Sequence, residues 1–128
     1  MPAESSNKTA RDSVVKVFGI KNCDTCRKAL KWLESRQVTY RFHDVREHVP
    51  NASLVKLWCN SAFGDRIVNR RSTTWRSLNG RQRAAALTNP APALLKHPTL
   101  MKRPVFMCGG EVLGVGFSPS ILEDQLPT

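Results

Sequence analysis

Two cysteines separated by two residues, Cys23 and Cys26, are the part of this 128-residue sequence best suited to chemistry. An apolar, β-branched run and a glycine precede them, and a helical pattern follows. A cysteine in the first turn of a helix lies beside unpaired N–H groups and the positive end of the dipole, and both favour the thiolate. Because the thiolate is the nucleophile, we predict that Cys23 attacks a substrate and that Cys26, one turn further in, resolves the adduct.

The same spacing fits two other roles. A Cys-x-x-Cys pair can be half of a structural zinc site, although such a site usually needs a second close pair of ligands. Cys59 and Cys108 are isolated, and His43, His48 and His97 have no ligand-like spacing to one another. The two cysteines can also pack as inert residues in a core. The pattern favours a redox or nucleophilic site and leads us to expect no bound metal.

The charge of the chain favours anionic partners. Its formal net charge is +10, and no acidic residue occurs from Arg66 to Gly110. Such a distribution attracts oxyanions, the carboxylates of glutathione, acidic proteins or nucleic acid. Since there is no stacking-aromatic motif or helix-turn-helix signature, we expect no specific nucleic-acid partner. The cations in this region are Arg66, Arg70, Arg71, Arg76, Arg81, Arg83, Lys96, Lys102 and Arg103.

Length and composition predict one domain. The polar residues 1–13 are expected to form a flexible tail, and residues 14–128 suffice for a single domain with its own core. No apolar run is long enough to span a membrane. The N-terminus lacks an apolar signal region, which predicts a cytoplasmic protein. In that reducing compartment, four cysteines are more often reactive or buried than paired in disulfides.

The first half of the chain predicts a βαβ unit. Residues 14–18 form a nearly continuous apolar run, as in a buried parallel strand. Residues 25–36 carry a helical apolar stripe, and residues 38–43 alternate as in a second strand. Two strands joined by one helix should be parallel. On the second strand, His43 falls on the polar face and is expected to be solvated. The stripe consists of Cys26, Ala29, Leu30 and Leu33.

The second half predicts a helical insertion followed by a hairpin. Asn51 can cap a helix, Asn79-Gly80 can begin another, and further helical segments extend the insertion to about residue 98. Short apolar runs then flank Gly109-Gly110, which signals a tight hairpin, and Ser118-Pro119 can open a last helix. The order, βαβ then helices then ββα, predicts an α/β thioredoxin-like fold with a mixed sheet. Arg103-Pro104 stands where that fold keeps a cis-proline beside the active cysteine.

Several motifs together resemble the arsenate reductase/Spx family. They are Gly-Ile-Lys-Asn-Cys-Asp-Thr-Cys-Arg-Lys-Ala, Tyr-Arg-Phe-His-Asp, Asn-Arg-Arg-Ser-Thr-Thr-Trp, Lys-Arg-Pro and Leu-Gly-Val-Gly-Phe-Ser. Within the family they are most similar to the YffB-type arsenate reductase-like branch. The resemblance extends over about residues 14–126.

The resemblance implies a nucleophilic role for Cys23 and an oxyanion site made of arginines. Arg103, before Pro104, matches one of these arginines, and Arg71 lies in the loop of a second. A third arginine of the arsenate reductases is replaced here by Gly116 or Phe117. Many arsenate reductases also have serine where this chain has a second cysteine. Spx regulators do carry Cys-x-x-Cys, and they bind the C-terminal domain of the RNA polymerase α-subunit.

The sequence thus predicts a glutathione-linked thiol–disulfide reductase. Cys23 and Cys26 would be catalytic, Arg71 and Arg103 would hold an anionic group, and Lys21 and Arg27 would add positive charge. The alternatives are an Spx-like redox regulator and a true arsenate reductase. Glutathione is the expected co-substrate, glutaredoxin is a further partner of this family, and we expect a monomer without a bound cofactor.

Overall fold

A computed structural model describes residues 14–126, so the predicted tail at residues 1–13 lies outside the described residues. The sheet has the order β2-β1-β3-β4, with β1 and β2 parallel and the other neighbours antiparallel. This mixed sheet, with helices on both faces, confirms the predicted α/β fold. The strands are β1 (Val15–Gly19), β2 (Tyr40–Asp44), β3 (Val105–Cys108) and β4 (Glu111–Val115).

Within residues 14–126, six α-helices accompany the sheet. The first joins the two parallel strands, four lie between β2 and β3, and the last follows β4. Short 3₁₀ turns at Gly64–Arg66 and Pro98–Leu100 connect them. None of the helices within residues 14–126 has the length and apolar character needed to cross a membrane. The helices are α1 (Asp24–Ser35), α2 (Ala52–Asn60), α3 (Thr73–Ser77), α4 (Gly80–Thr88), α5 (Pro90–Lys96) and α6 (Pro119–Gln125).

Local sequence signals account for many of these boundaries. Asn51 begins α2 by accepting a hydrogen bond from the Leu54 N–H at 2.8 Å. Asn79 and Gln82 form a reciprocal capping box at α4, with both bonds at 2.8 Å, which satisfies two backbone donors at once. The tight turn between β3 and β4 has φ of 58° and 81° at its two glycines. Positive φ at both central positions is the geometry that favours glycine in a two-residue hairpin.

Each face of the sheet buries its own core. On one face, Val15 and Val17 of β1 pack with Leu33 of α1 and with Leu122 of α6. On the other face, Phe18 packs against the helical insertion, whose Trp58 is only 1% exposed. The sheet is therefore covered on both sides, and functional groups must gather at its edges.

His43 differs from its predicted environment. It lies on the β2 face opposite Phe42, as the alternation indicates, but its ring stacks on Phe18 with centroids 4.9 Å apart and is half-buried. Burial lowers the pKa of His43, and the positive charges of Lys16 and Arg41 lower it further. The expectation of a solvated side chain was wrong because the neighbouring strand offers an aromatic surface.

Asp44 fixes the loop that leads to the cysteines. Its side chain is buried, and its carboxylate accepts the N–H groups of Lys21 at 2.9 Å, Arg46 at 2.8 Å and Glu47 at 3.3 Å. Burial by itself would raise the pKa of Asp44, but these backbone donors and the Arg46 charge lower it below its usual value. The ionised carboxylate therefore joins the end of β2 to the loop after β1.

We expect Asp44→Asn to lower the free energy of unfolding by about 1–3 kcal/mol at pH 7, because a buried donor loses its charged acceptor. Urea unfolding measures this, with the exposed Asp124→Asn as the control. The sign of the pH dependence follows from the lowered pKa: the stabilisation is complete above the unfolded pKa of about 3.9 and is lost as pH falls through the folded pKa. A difference between wild type and variant that does not shrink in acid would contradict this role.

Candidate active site

Cys23 and Cys26 flank the start of α1. Cys23 is the N-cap, with φ −134° and ψ 117°, and its carbonyl accepts the Arg27 N–H at 3.0 Å. Its side chain is half-buried, whereas Cys26 is 1% exposed. Cys23 and Cys26 are not joined by a disulfide. An accessible thiol therefore stands directly before the helix, and a buried thiol lies in its first turn.

Gly19 makes room for the buried thiol. A Cβ atom at this position would lie 2.5 Å from the Cys26 Sγ and 3.3 Å from the Phe42 ring. A side chain at residue 19 would thus force the buried Cys26 thiol to move. The glycine that ends the apolar run in the sequence is needed for this close contact between strand and helix.

The surroundings of Cys23 favour its thiolate. Burial alone would raise the pKa of Cys23, but the backbone N–H and the thiol of Cys26 and the Arg103 guanidinium lower it below its ordinary value. These groups place positive charge or hydrogen-bond donors beside the sulphur, which stabilises the anion. The side chain suited to nucleophilic attack is therefore the accessible one.

Cys26 has the opposite tendency. Burial raises the pKa of Cys26 to about 12, and the Cys23 side chain adds to this effect through its hydrogen bond and its charge. Cys26 therefore remains a thiol while Cys23 is a thiolate. One half of the motif is thus suited to nucleophilic attack, and the other keeps its proton at neutral pH.

Arg103 lies beside this pair at the start of β3. Its Nη1 donates to the carbonyl oxygen of Thr99 at 2.8 Å and more weakly to that of Met101 at 3.4 Å, which fixes the guanidinium. Its Nε is buried and has no hydrogen-bond partner among the described residues. The Arg103-Pro104 bond is cis, as the sequence predicts. Together with Cys23, Arg103 also lines a cleft, so its positive charge would favour an anion bound there.

Cys23 faces a cleft of about 510 Å³, whereas Cys26 is buried behind it. Cys23, Arg71 and Arg103, which are separate in the sequence, all line it. A turn at Asn69 holds the Arg71 backbone, because the Asn69 side chain accepts the Arg71 N–H at 3.0 Å. The remaining lining residues are Ile20, Asn22, Arg46, Asn69, Ser72, Thr73, Thr74 and Thr99.

Lys21 and Arg27 are placed differently. Lys21 pairs with Glu47 at 2.6 Å and Arg27 with Asp24 at 3.0 Å. The Glu47 carboxylate raises the pKa of Lys21 through a hydrogen bond and its charge. Neither cation lines the cleft. Each is held by a nearby carboxylate, so their contribution to the thiolate remains a prediction.

Sequence reasoning missed Arg46 and the hydroxyl groups of the cleft. Arg46 follows β2, and parallel strands end at the same edge of a sheet, so topology places it near the end of β1. That signal was present in the predicted βαβ unit. The hydroxyls come from the insertion, where Thr74 and Thr99 share a hydrogen bond of 2.6 Å across two segments. Such a contact has no local sequence signature. No group of three potential metal ligands occurs within residues 14–126.

Comparison with known proteins identifies the family of the chain. The model of the ArsC family matches residues 18–124, which confirms the resemblance noted in the sequence. A solved structure described as YFFB protein is 35% identical, covers 88% of this chain and 98% of its own, and superposes with a TM-score of 0.78. An uncharacterized Haemophilus influenzae protein is 38% identical over 82% of this chain and 92% of its own. Global transcriptional regulator Spx 2 of Bacillus anthracis is 26% identical over 89% of this chain and 88% of its own.

We expect Cys23 to be alkylated first by iodoacetamide, with a midpoint in pH below that of a free cysteine. Arg103→Gln should raise that midpoint, since the variant removes a charge that lowers the pKa of Cys23. Alkylation rates between pH 4 and 10 with peptide mapping provide the measurement, and the exposed Arg81→Gln is the matched control. Faster labelling of Cys26, or an unchanged midpoint in Arg103→Gln, would contradict the assignment.

Proposed function

The chain belongs to the ArsC family, and from that premise we propose that it is a glutathione-linked thiol–disulfide reductase. Cys23 is the nucleophile and Cys26 the resolving thiol. The observation that carries the proposal is the geometry at the start of α1, where a half-buried Cys23 lines a cleft beside Arg103 and a buried Cys26 follows in the first turn. The pKa of Cys23 is lowered and that of Cys26 is raised to about 12, in keeping with these positions. Such a reductase needs one ionised thiol to attack the substrate disulfide and a second, protonated thiol to resolve the mixed disulfide.

The first step forms a mixed disulfide. The Cys23 thiolate attacks one sulphur of a substrate disulfide, a new S–S bond forms, and the substrate's own S–S bond breaks. The departing sulphur leaves as a thiolate and takes a proton from solvent. Attack of this kind is favoured when the attacking thiol is ionised near ambient pH.

The second step releases the substrate. Once Cys23 carries a mixed disulfide, its negative charge is gone, and so is one cause of the high pKa of Cys26. Cys26 then loses its proton, attacks the Cys23 sulphur and expels the reduced substrate as a thiol. Two glutathione molecules return the Cys23–Cys26 disulfide to two thiols and are oxidised to glutathione disulfide. Glutathione, or glutaredoxin, can also attack the mixed disulfide directly.

The arginines would hold an anionic group beside the sulphur. Arg103 has an unpartnered buried Nε, and Arg71 and Arg46 line the same cleft. Charge-assisted hydrogen bonds to a carboxylate are stronger than neutral ones. A carboxylate of glutathione or of the substrate would therefore satisfy Arg103 and orient the disulfide toward Cys23.

Disulfide chemistry fits this cleft better than arsenate chemistry. Reduction of arsenate requires several fixed donors around its oxygens, because the charge of the transition state must be met by groups already in place. Where the family resemblance implies a third arginine, this chain has Gly116-Phe117, and the Lys102 stem packs against Gly116. Cys26 also supplies a resolving thiol within the chain. An arsenate adduct that glutathione resolves would not need such a thiol.

An Spx-like redox regulator is the second candidate, supported by the Bacillus anthracis relative over 89% of this chain. In that role the two cysteines would form a switch disulfide with no turnover. The concave cleft around Cys23 favours the reductase, since a regulator needs only a docking surface. We place the reaction in the cytoplasm, where glutathione keeps disulfides reduced, and expect the protein to act as a monomer.

Substitution of each cysteine tests the assignment of roles. With a glutathione-reducible disulfide, Cys26→Ser should accumulate a mixed disulfide at Cys23, because the resolving thiol is missing, and Cys23→Ser should not react. Intact-protein mass spectrometry after a short exposure detects the adduct, and Cys59→Ser serves as the control. An adduct on Cys26 in the Cys23→Ser variant, or none in either variant, would refute the roles proposed.

A turnover assay separates the candidate reactions. We expect glutathione-dependent reduction of small disulfides to exceed arsenate reduction by at least tenfold in kcat/KM, because Gly116-Phe117 stands where the resemblance implies a third oxyanion-binding arginine and Cys26 supplies the resolving thiol that disulfide exchange uses. NADPH consumption coupled through glutathione reductase measures both. Arsenate turnover that survives Cys26→Ser would identify an arsenate reductase, and no turnover of either substrate would favour the regulator.

A further inference from the structure

A second concave surface adjoins the Cys23 cleft. This basic trough has a volume of about 790 Å³ and is lined by four cations and one acid, Asp65. None of the four forms a salt bridge within the described part of the chain. Arg70 lies 6.0 Å from the Trp75 ring, which limits its freedom. The four cations are Arg66, Arg70, Arg71 and Lys102.

The trough and the cleft are two sides of one ridge. The ridge forms where residues 67–69 run antiparallel to residues 100–102. The Lys102 N–H donates to the Ile67 carbonyl at 2.8 Å and the Asn69 N–H to the Leu100 carbonyl at 2.9 Å. Of two consecutive residues, Lys102 lines the trough and Arg103 lines the cleft. Asn69 and Arg71 line both, so the two cavities meet there.

Gly116 allows Lys102 to occupy its position. A Cβ atom at residue 116 would lie 2.7 Å from Lys102 Cε and 3.3 Å from Cδ. The lysine stem therefore packs where a larger residue would place its side chain. Lys102 therefore adds its positive charge to the trough, which meets the cleft at Asn69 and Arg71.

The trough itself is not a second reactive site. Cys59 lines it, but burial raises the pKa of Cys59, so this thiol stays protonated at neutral pH. Unpaired like charges in one cavity repel each other, and a bound anion would relieve that repulsion. The trough is thus suited to binding, with the chemistry next to it.

We propose that the trough binds the acidic side chains of an extended peptide whose disulfide lies at Cys23. The substrate class is a disulfide of an acidic, cysteine-containing peptide segment. This inference rests on the proposed reductase function, because it uses Cys23 as the reacting atom. A peptide fits the joined cavities since each residue of an extended chain advances about 3.3–3.6 Å, so carboxylates a few residues from the cysteine reach beyond Arg71.

Binding of a redox-inert peptide tests the trough without the reaction. A fluorescent nonapeptide with serine in place of cysteine and glutamates two to five positions away is compared with its glutamine twin by anisotropy. We expect the acidic peptide to bind at least tenfold tighter, and less tightly as salt rises. Arg66→Gln and Lys102→Gln should each weaken it about two- to fivefold, as for exposed charge pairs. The matched control is Arg81→Gln, on exposed α4.

The corresponding disulfide peptides test turnover. We expect kcat/KM to favour the acidic peptide, with the preference reduced in Lys102→Gln. Equal binding of the acidic peptide and its twin overturns the trough proposal even if both disulfides are reduced. Salt- and Lys102-dependent binding of the acidic peptide without reduction supports the trough and refutes the reductase. Stronger binding of a single-stranded oligonucleotide of equal charge would overturn the peptide assignment.

Discussion

The antiparallel pairing of β1 with β3 is the constraint on which the active site depends. Phe18 pairs with Val105, so the end of β1 lies beside the start of β3. The chain leaving β1 leads to Cys23, and the chain approaching β3 carries Arg103 and the cis bond to Pro104. Residues 80 positions apart in the sequence therefore meet as a result of backbone register. Any slip in this pairing would separate the nucleophile from its cation.

A half-buried thiolate is stable here only because specific donors compensate for desolvation. Burial opposes ionisation at both cysteines, and it is the main cause of the raised pKa of Cys26, which is almost fully buried. At the half-buried Cys23, the Cys26 N–H, the Cys26 thiol and Arg103 lower the pKa despite the burial. The hydrogen bond between the two side chains lowers the pKa of Cys23 and raises that of Cys26. Depth of burial and this shared hydrogen bond therefore both separate the two roles in the proposed reaction.

The sequence predicts the parts of this structure that depend on local patterns. The strands, the cap at Asn51 and the glycine hairpin follow from residues close together in the chain, and Cys23 and Arg103 could be named from a motif and a following proline. The partner of Lys21 could not, because Glu47 is distant in the sequence and reaches Lys21 only through the fold, whereas the Asp24–Arg27 pair is a local i,i+3 contact. The contribution of Thr99 likewise depends on how the insertion folds back against β3, which periodicity does not encode.

His43, on the face of the sheet that the insertion covers, shows the same limit. Alternation along β2 assigns its face correctly, but the parallel register sets Phe18 opposite it, and the ring stacks there instead of entering solvent. A strand pattern gives the direction of a side chain, whereas its environment depends on the neighbouring strand and the helices above it.

The effect of the net charge of +10 depends on where the cationic side chains lie. Positive charges distributed evenly over a surface would mainly affect solubility. Here Arg46, Arg71 and Arg103 line one cavity, while Arg66 and Lys102 line the next. Concave walls of low dielectric concentrate their field, so an anion experiences it more strongly inside than on a flat face. Because the charges extend along two joined cavities, they complement an elongated anion better than a compact one.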